Sequence, residues 1–139
     1  LNVPPTRDGL LHASDAAALR AMRERLDAHF GEDRFAQVDR GRPVTVSVAD
    51  LREDVSRGQV VARYRLEARV AEKWVTLSRG TTIGNRKLDR FPAVTISGVR
   101  LRVEDGTGAA GPVAIRLYHP EGGFTVRGNL APWCFGPVS

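Results

Sequence analysis

The chain is poor in sulfur, lysine and aromatic rings. Cys134 is its single cysteine, so no internal disulfide can form and a disulfide scaffold is excluded. Pro132, Trp133 and Phe135 surround that thiol with no His or carboxylate beside it, which is not the electropositive setting a reactive thiolate needs. Cys pairs and an HExxH spacing are missing, and His12, His29 and His119 stand far apart, so no built-in metal site and no cofactor is expected. No run approaches the roughly 18 apolar residues of a membrane span. A charged leader followed by an apolar stretch is also lacking, so no signal peptide is expected, and localisation stays open. The opening Leu1-Asn2-Val3-Pro4-Pro5 reads as a piece cut from something longer.

What is present fits one small domain. There are 139 residues, 42% hydrophobic and 27% charged, which excludes a mostly disordered or collagen-like chain. The net charge of +5 comes almost wholly from arginine, because Lys73 and Lys87 are the only lysines. Those arginines are interleaved with Glu and Asp and form no basic block. A solvated, partly ion-paired surface is expected, with neither nucleic acid nor membrane as partner.

Ser14 is suited to cap a helix, and Asp15 follows where the helix dipole favours an anion. Leu19, Met22, Leu26 and Phe30 then recur at spacings of three and four, building one apolar stripe over a helix at about 15–30 that Gly31 ends. Arg20/Glu24 and Arg23/Asp27 pair on its flanks.

From Pro43 the period falls to two. Val44, Val46 and Val48 alternate with polar residues. Ala62, Tyr64, Leu66, Ala68 and Val70 alternate with Arg63, Arg65, Glu67 and Arg69. Val99, Leu101 and Val103 do so with Arg100, Arg102 and Glu104, and Val113, Ile115 and Leu117 follow the same rule. Lys73 to Ser78 reads as a shorter strand. Glycine-containing breaks at Arg57-Gly58, Gly80 to Gly84 and Gly106 to Pro112 separate them. The expected fold is mainly β, an antiparallel sandwich preceded by one α-helix, its outward arginines either paired with carboxylates across strands or simply solvated. After His119 the pattern stops, and the Gly/Pro-rich tail 120–139 reads either as a free end or as a strap anchored by Phe124, Trp133 and Phe135.

Catalytic signatures are scarce. Gly80 to Lys87 is similar to a phosphate loop but lacks its glycine gap and Gly-Lys-Ser/Thr ending, so a turn is the expected reading. No Gly-x-Ser-x-Gly elbow occurs. Glu53 and Asp54 are adjacent and in an extended segment point to opposite faces, so they cannot easily converge on one glycosidic bond. Trp74 can offer a stacking face to a pyranose, although a Trp at a strand start more often closes the core. Trp74 and Glu53 are therefore the candidate carbohydrate contacts, and no catalytic residue is assigned.

Two stretches point to one family. Leu1-Asn2-Val3-Pro4-Pro5, Gly9-Leu10 and the helix to Phe30 resemble the end of the catalytic barrel in glycoside hydrolase family 29 α-L-fucosidases. Leu51-Arg52-Glu53-Asp54, Gly58-Gln59-Val60-Val61, Trp74, Gly80-Thr81-Thr82-Ile83-Gly84-Asn85-Arg86-Lys87-Leu88, Arg90-Phe91 and Val99-Arg100-Leu101 resemble, in order and spacing, that family's C-terminal β-sandwich. The resemblance implies residues 1–36 as the barrel's end, 43–119 as a galactose-binding-like sandwich and 120–139 as an unmatched tail. It implies a parent that removes terminal α-L-fucose with retention, whose nucleophile lies upstream of this chain. This chain would then be an accessory or structural part, inactive alone, with the parent's catalytic barrel and fucosylated glycans as partners. A stand-alone carbohydrate-binding module is the alternative. Gly58, Gln59, Gly80, Thr81, Thr82, Gly84, Arg90 and Phe91 carry over as structural positions: glycines for turns, Trp74 for packing, Arg90-Phe91 at a strand junction. The family carries further strands, and in related modules a calcium loop, where only about eight residues here join Phe35 to Val44. An abbreviated sandwich follows, with an inner face for the 15–30 helix or the tail to cover.

Overall fold

The structure, a computed structural model, describes residues 3–56, 58–108 and 111–120. Cys134, Arg57 and the tail's Phe124, Trp133 and Phe135 lie outside the described residues, as do Leu1 and Asn2. Helix α1 (Ala13–Phe30) and the short α2 (Phe35–Asp39) lead into six strands: β1 (Val44–Arg52), β2 (Val61–Val70), β3 (Lys73–Gly80), β4 (Lys87–Ile96), β5 (Gly98–Gly106) and β6 (Ala114–Tyr118). They form two antiparallel three-stranded sheets, ordered β4-β1-β6 and β3-β2-β5. Their inner faces share one core that includes Val46, Leu51, Tyr64, Leu66, Ile96 and Leu117. The mainly β, two-sheet architecture is as the alternation predicts.

A register irregularity between β1 and β4 marks a change in which residues face that core. Pairing passes from Val46 with Val94 to Val48 with Arg90, so the extra residues lie in β4, and the alternation of β1 reverses across Ser47. Val46 points inward, then Ala49 and Leu51 do, while Asp50 turns to the outer face. Strand β4 was not expected as a strand, because Lys87, Asp89 and Pro92 interrupt its pattern. It occupies a sheet edge, where a proline costs no ladder bond. Arg90-Phe91 therefore sit inside β4 and not at a strand junction. The true junction is Ser97, where the chain leaves one sheet for the other and the Ser97 N–H donates to the Arg69 carbonyl at 2.9 Å.

The inner face is closed by α2, which fills the interval between Phe35 and Val44 and buries Val38. Asp33 and Arg34 fasten that segment: Asp33 Oδ1 accepts from Leu117 N at 2.9 Å, and Arg34 N donates to Leu117 O at 2.8 Å. Helix α1 does not cover the core. It has no buried residue, and Met22 and Leu26 are 40% and 42% exposed. Its cap is His12, whose ring accepts from Ser14 N; Ser14 lies within the first turn and not at the cap. Phe30 anchors its end against Tyr118, edge to face at 5.5 Å.

Candidate functional site

Three stretches of the resembling motif, those holding Glu53, Val60-Val61 and Gly84, meet at one corner. The reversed alternation of β1 carries this side chain inward, where it is 7% exposed. Its Oε1 accepts from Val60 N at 2.6 Å and Val61 N at 2.9 Å, and its Oε2 accepts from Gly84 N at 3.3 Å. The Glu53 N–H in turn donates to Gly84 O at 3.0 Å. A carboxylate that satisfies several backbone donors at once fixes two loops to one point. Gly84 is needed there because its φ of +65° disfavours a side chain and Gln59 Nε2 would lie 2.9 Å from a Cβ. Glu53, expected as a carbohydrate contact, is thus a clasp between loops, with both carboxylate oxygens engaged by backbone N–H groups. Asp54 points away and accepts from Ser56 N at 3.0 Å. Gly58 turns the loop that Glu53 holds, Thr81 and Thr82 are exposed on the other loop, and Ile83 between them and Gly84 is buried.

A second buried carboxylate locks the strands. Asp89 Oδ2 accepts from Tyr64 Oη and Ser78 Oγ, each at 2.7 Å, linking β4 to the opposite sheet. Burial, aided by Asp89, drives the Tyr64 pKa upward, so the phenol remains a neutral donor.

A concavity lies between α1 and the outer face of the β4-β1-β6 sheet. It measures about 690 Å³. Leu26 and Phe30 form its helical wall, and Arg52, Arg86, Arg116 and Tyr118 line the facing side. Beneath them Asp50 is wholly buried, with Oδ2 3.1 Å from a guanidinium nitrogen of both Arg52 and Arg86. Hydrogen bonding to Asp50 raises the Arg52 pKa further. Arg116 is the cross-strand partner of Asp50 and is exposed. Two guanidiniums on one carboxylate leave the cleft cationic, with donors still free to point outward.

The other sheet carries a charge ladder on its outer face. Glu67 accepts from Arg100 Nε at 2.6 Å and lies 3.3 Å from Arg102 and 3.6 Å from Arg65, which also binds Glu104. Cross-strand pairing of the arginines is as expected. The hydrogen bond from Arg100, reinforced by these charges, holds the Glu67 pKa below the ordinary carboxylate value of about 4.5. A depressed folded-state pKa stabilises the fold above the unfolded value, and that stabilisation disappears as pH falls through the folded value. Glu67→Gln is therefore expected to lower the thermal midpoint at neutral pH, with the gap to wild type closing as pH is taken well below 4.5 in a melting series. A gap that persists unchanged in acid would contradict this account.

Trp74 does not close the core. It is 43% exposed, with the Arg100 guanidinium 4.0 Å from its ring centroid. Parity explains this: Trp74 pairs with Arg69, an outward position of β2.

Among the described residues no three His, Cys, Asp or Glu are grouped to hold a metal ion, and no helix is long and apolar enough to cross a membrane. No family model matches the chain. Over 66 residues, 48% of this chain and 13% of the other, it is 36% identical to an Oryza sativa subsp. japonica protein named "Putative alpha-L-fucosidase 1". A glycoside hydrolase 29 family member from an unknown rumen bacterium shares the fold at a TM-score of 0.64 and 23% identity, over 91% of this chain and 26% of its own. The chain is thus similar to α-L-fucosidases, in sequence over about half of its length and in fold over most of it. A Bacteroides thetaiotaomicron structure described as a "putative alpha-L-fucosidase" shares the fold at a TM-score of 0.65 and 24% identity, over 83% of this chain and 28% of its own. The chain thus spans between an eighth and three-tenths of the length of these fucosidase relatives.

Proposed function

We propose that this chain is the C-terminal accessory portion of a family 29 α-L-fucosidase, docking onto the catalytic barrel of that enzyme and releasing no fucose alone. Residues 1–36 belong, in this reading, to the barrel's end, and residues 43–119 to the sandwich that braces it. The single observation that carries the proposal is α1. Its 18 residues present an apolar stripe, Leu19, Met22, Leu26 and Phe30, yet none of them is buried: Met22 and Leu26 are exposed, and Leu19 and Phe30 only partly covered. An isolated helix of this length is marginal in water, and most helical stability comes from packing an apolar face. The stripe therefore needs a partner, and the fucosidase relatives are several times longer than this chain. The neighbouring cleft adds a second requirement. Arg52, Arg86 and Arg116 favour an acidic side chain on the partner.

Two measurements test this. In hydrogen exchange on the 139-residue chain, the α1 amides are expected to exchange nearly as fast as unprotected ones while β2 amides are protected. Protection of α1 equal to that of β2 would show that the helix needs nothing further. With a fluorogenic α-L-fucoside the chain is expected to give no turnover. Turnover that point changes within residues 1–139 abolish would overturn the accessory reading.

A further inference from the structure

Trp74 stands on the sheet opposite the arginine cleft, and neither the core nor the docking surface accounts for it. Its ring is held in place. Arg100 lies against one face, and the ring edge lies beside Gly98 of β5, with Cη2 at van der Waals distance, 3.5 Å, from where a Cβ would stand. Beside it opens a hollow of about 230 Å³, edged also by Phe35 and Asp39 of α2, Arg69 and Ser97. Arg69 is fixed by two contacts, Nε to Ser97 Oγ at 3.2 Å and Nη2 to Ser97 O at 3.3 Å, which leaves its Nη1 donors available. Asp39 is exposed and, among the described residues, has no ion pair.

This set of groups selects a ligand chemistry. A ring sugar has an apolar C–H patch and hydroxyls that each donate and accept. An indole suits the patch, while a guanidinium and a carboxylate in one small hollow suit the hydroxyls. A charged ligand gains little, because Arg69 and Asp39 offset one another. A purely apolar ligand would strip water from both without replacing it. We propose that Trp74, Arg69 and Asp39 form a binding subsite for one neutral pyranose ring of a glycan. The subsite lies on the sheet away from α1, so it goes beyond the docking reading and does not rest on it.

The test is an NMR titration of the 139-residue chain with the methyl glycosides of fucose, galactose and glucose, following the Trp74 indole N–H, with glucuronate as the charged probe. At least one neutral glycoside is expected to saturate with a Kd on the order of 1–10 mM. Trp74→Ala should weaken it at least tenfold and Asp39→Asn several-fold, while Arg116→Ala in the opposite cleft leaves it unchanged. If Trp74→Ala does not fold, Asp39→Asn decides alone. No saturation by any of the three, binding indifferent to Asp39→Asn, or glucuronate binding tighter than every neutral sugar would each overturn the proposal. None of these outcomes bears on α1 exchange or on fucoside turnover, so the docking reading stands or falls separately.

Discussion

Glu53→Ala is expected to destabilise the fold by about 3 kcal/mol or more, because each buried donor left without an acceptor costs about 1–3 kcal/mol. Three N–H groups lose their partner at once, those of Val60, Val61 and Gly84, and two of the three bonds are in buried surroundings. The loss is a large share of the roughly 5–15 kcal/mol that holds a domain together. Glu53→Gln separates charge from geometry. Its carbonyl can still accept from Val60 and Val61, but its amide presents a donor to Gly84 N, so an intermediate loss of about 1–2 kcal/mol is expected. Urea denaturation monitored by circular dichroism gives both numbers. A Glu53→Ala midpoint near that of wild type would mean that the two loops are held by something other than this carboxylate.

Gly80→Ala is expected to cost about 2–3 kcal/mol through overpacking. The new Cβ would lie 2.5 Å from Lys87 Nζ and 2.6 Å from Tyr64 Cε1 and Cζ. Lys87 can swing aside, being the end of a flexible chain. Tyr64 cannot, because it is wholly buried and its hydroxyl is tied to Asp89 at 2.7 Å. Shortening the ring should relieve the clash, so Gly80→Ala and Tyr64→Leu should combine to less than the sum of their separate costs, a coupling readable in a double-mutant cycle. Gly111→Ala supplies the control: no atom lies within 4 Å of its Cβ position, and a change within about 0.5 kcal/mol is expected. Equal effects at Gly80 and Gly111 would remove the steric explanation.

These two positions show how the resembling motif works. Gly80 and Gly84 lie more than twenty residues along the chain from Glu53 and the Gly58-Gln59 loop, and the carboxylate of Glu53 gathers most of them at one corner. Their order and spacing were legible from the residues. Their purpose was not, because a Glu beside an Asp in a polar stretch has no mark of burial. The one available signal is the parity of β1, and it reverses across Ser47, opposite the irregularity in β4. The same reversal hides Asp50: alternation from Val44 to Val48 says nothing of a carboxylate that lies wholly buried under two arginines.

Strand β4 escaped for a different reason. Pro92 and the charges at Lys87 and Asp89 are tolerated because β4 lies at an edge and because Asp89 finds Tyr64 and Ser78 across the core. Both conditions are properties of neighbours. The helix stripe failed in the opposite direction. Leu19, Met22, Leu26 and Phe30 have the spacing of a core face, and the helix forms, but periodicity reports only that a face is apolar. Where that face goes depends on what is beside it.

Residue order alone was enough for the two-sheet β architecture, the leading helix, the paired outward arginines and the likeness to fucosidases, since period, turn residues and motif spacing are local quantities. Only the folded arrangement could show that Glu53 clasps loops, that Trp74 stands at the surface, that α2 rather than α1 closes the core, and that four arginine-bearing elements border one cleft. Those are contacts between residues distant in the chain, and a single bulge or an edge position is enough to redirect them.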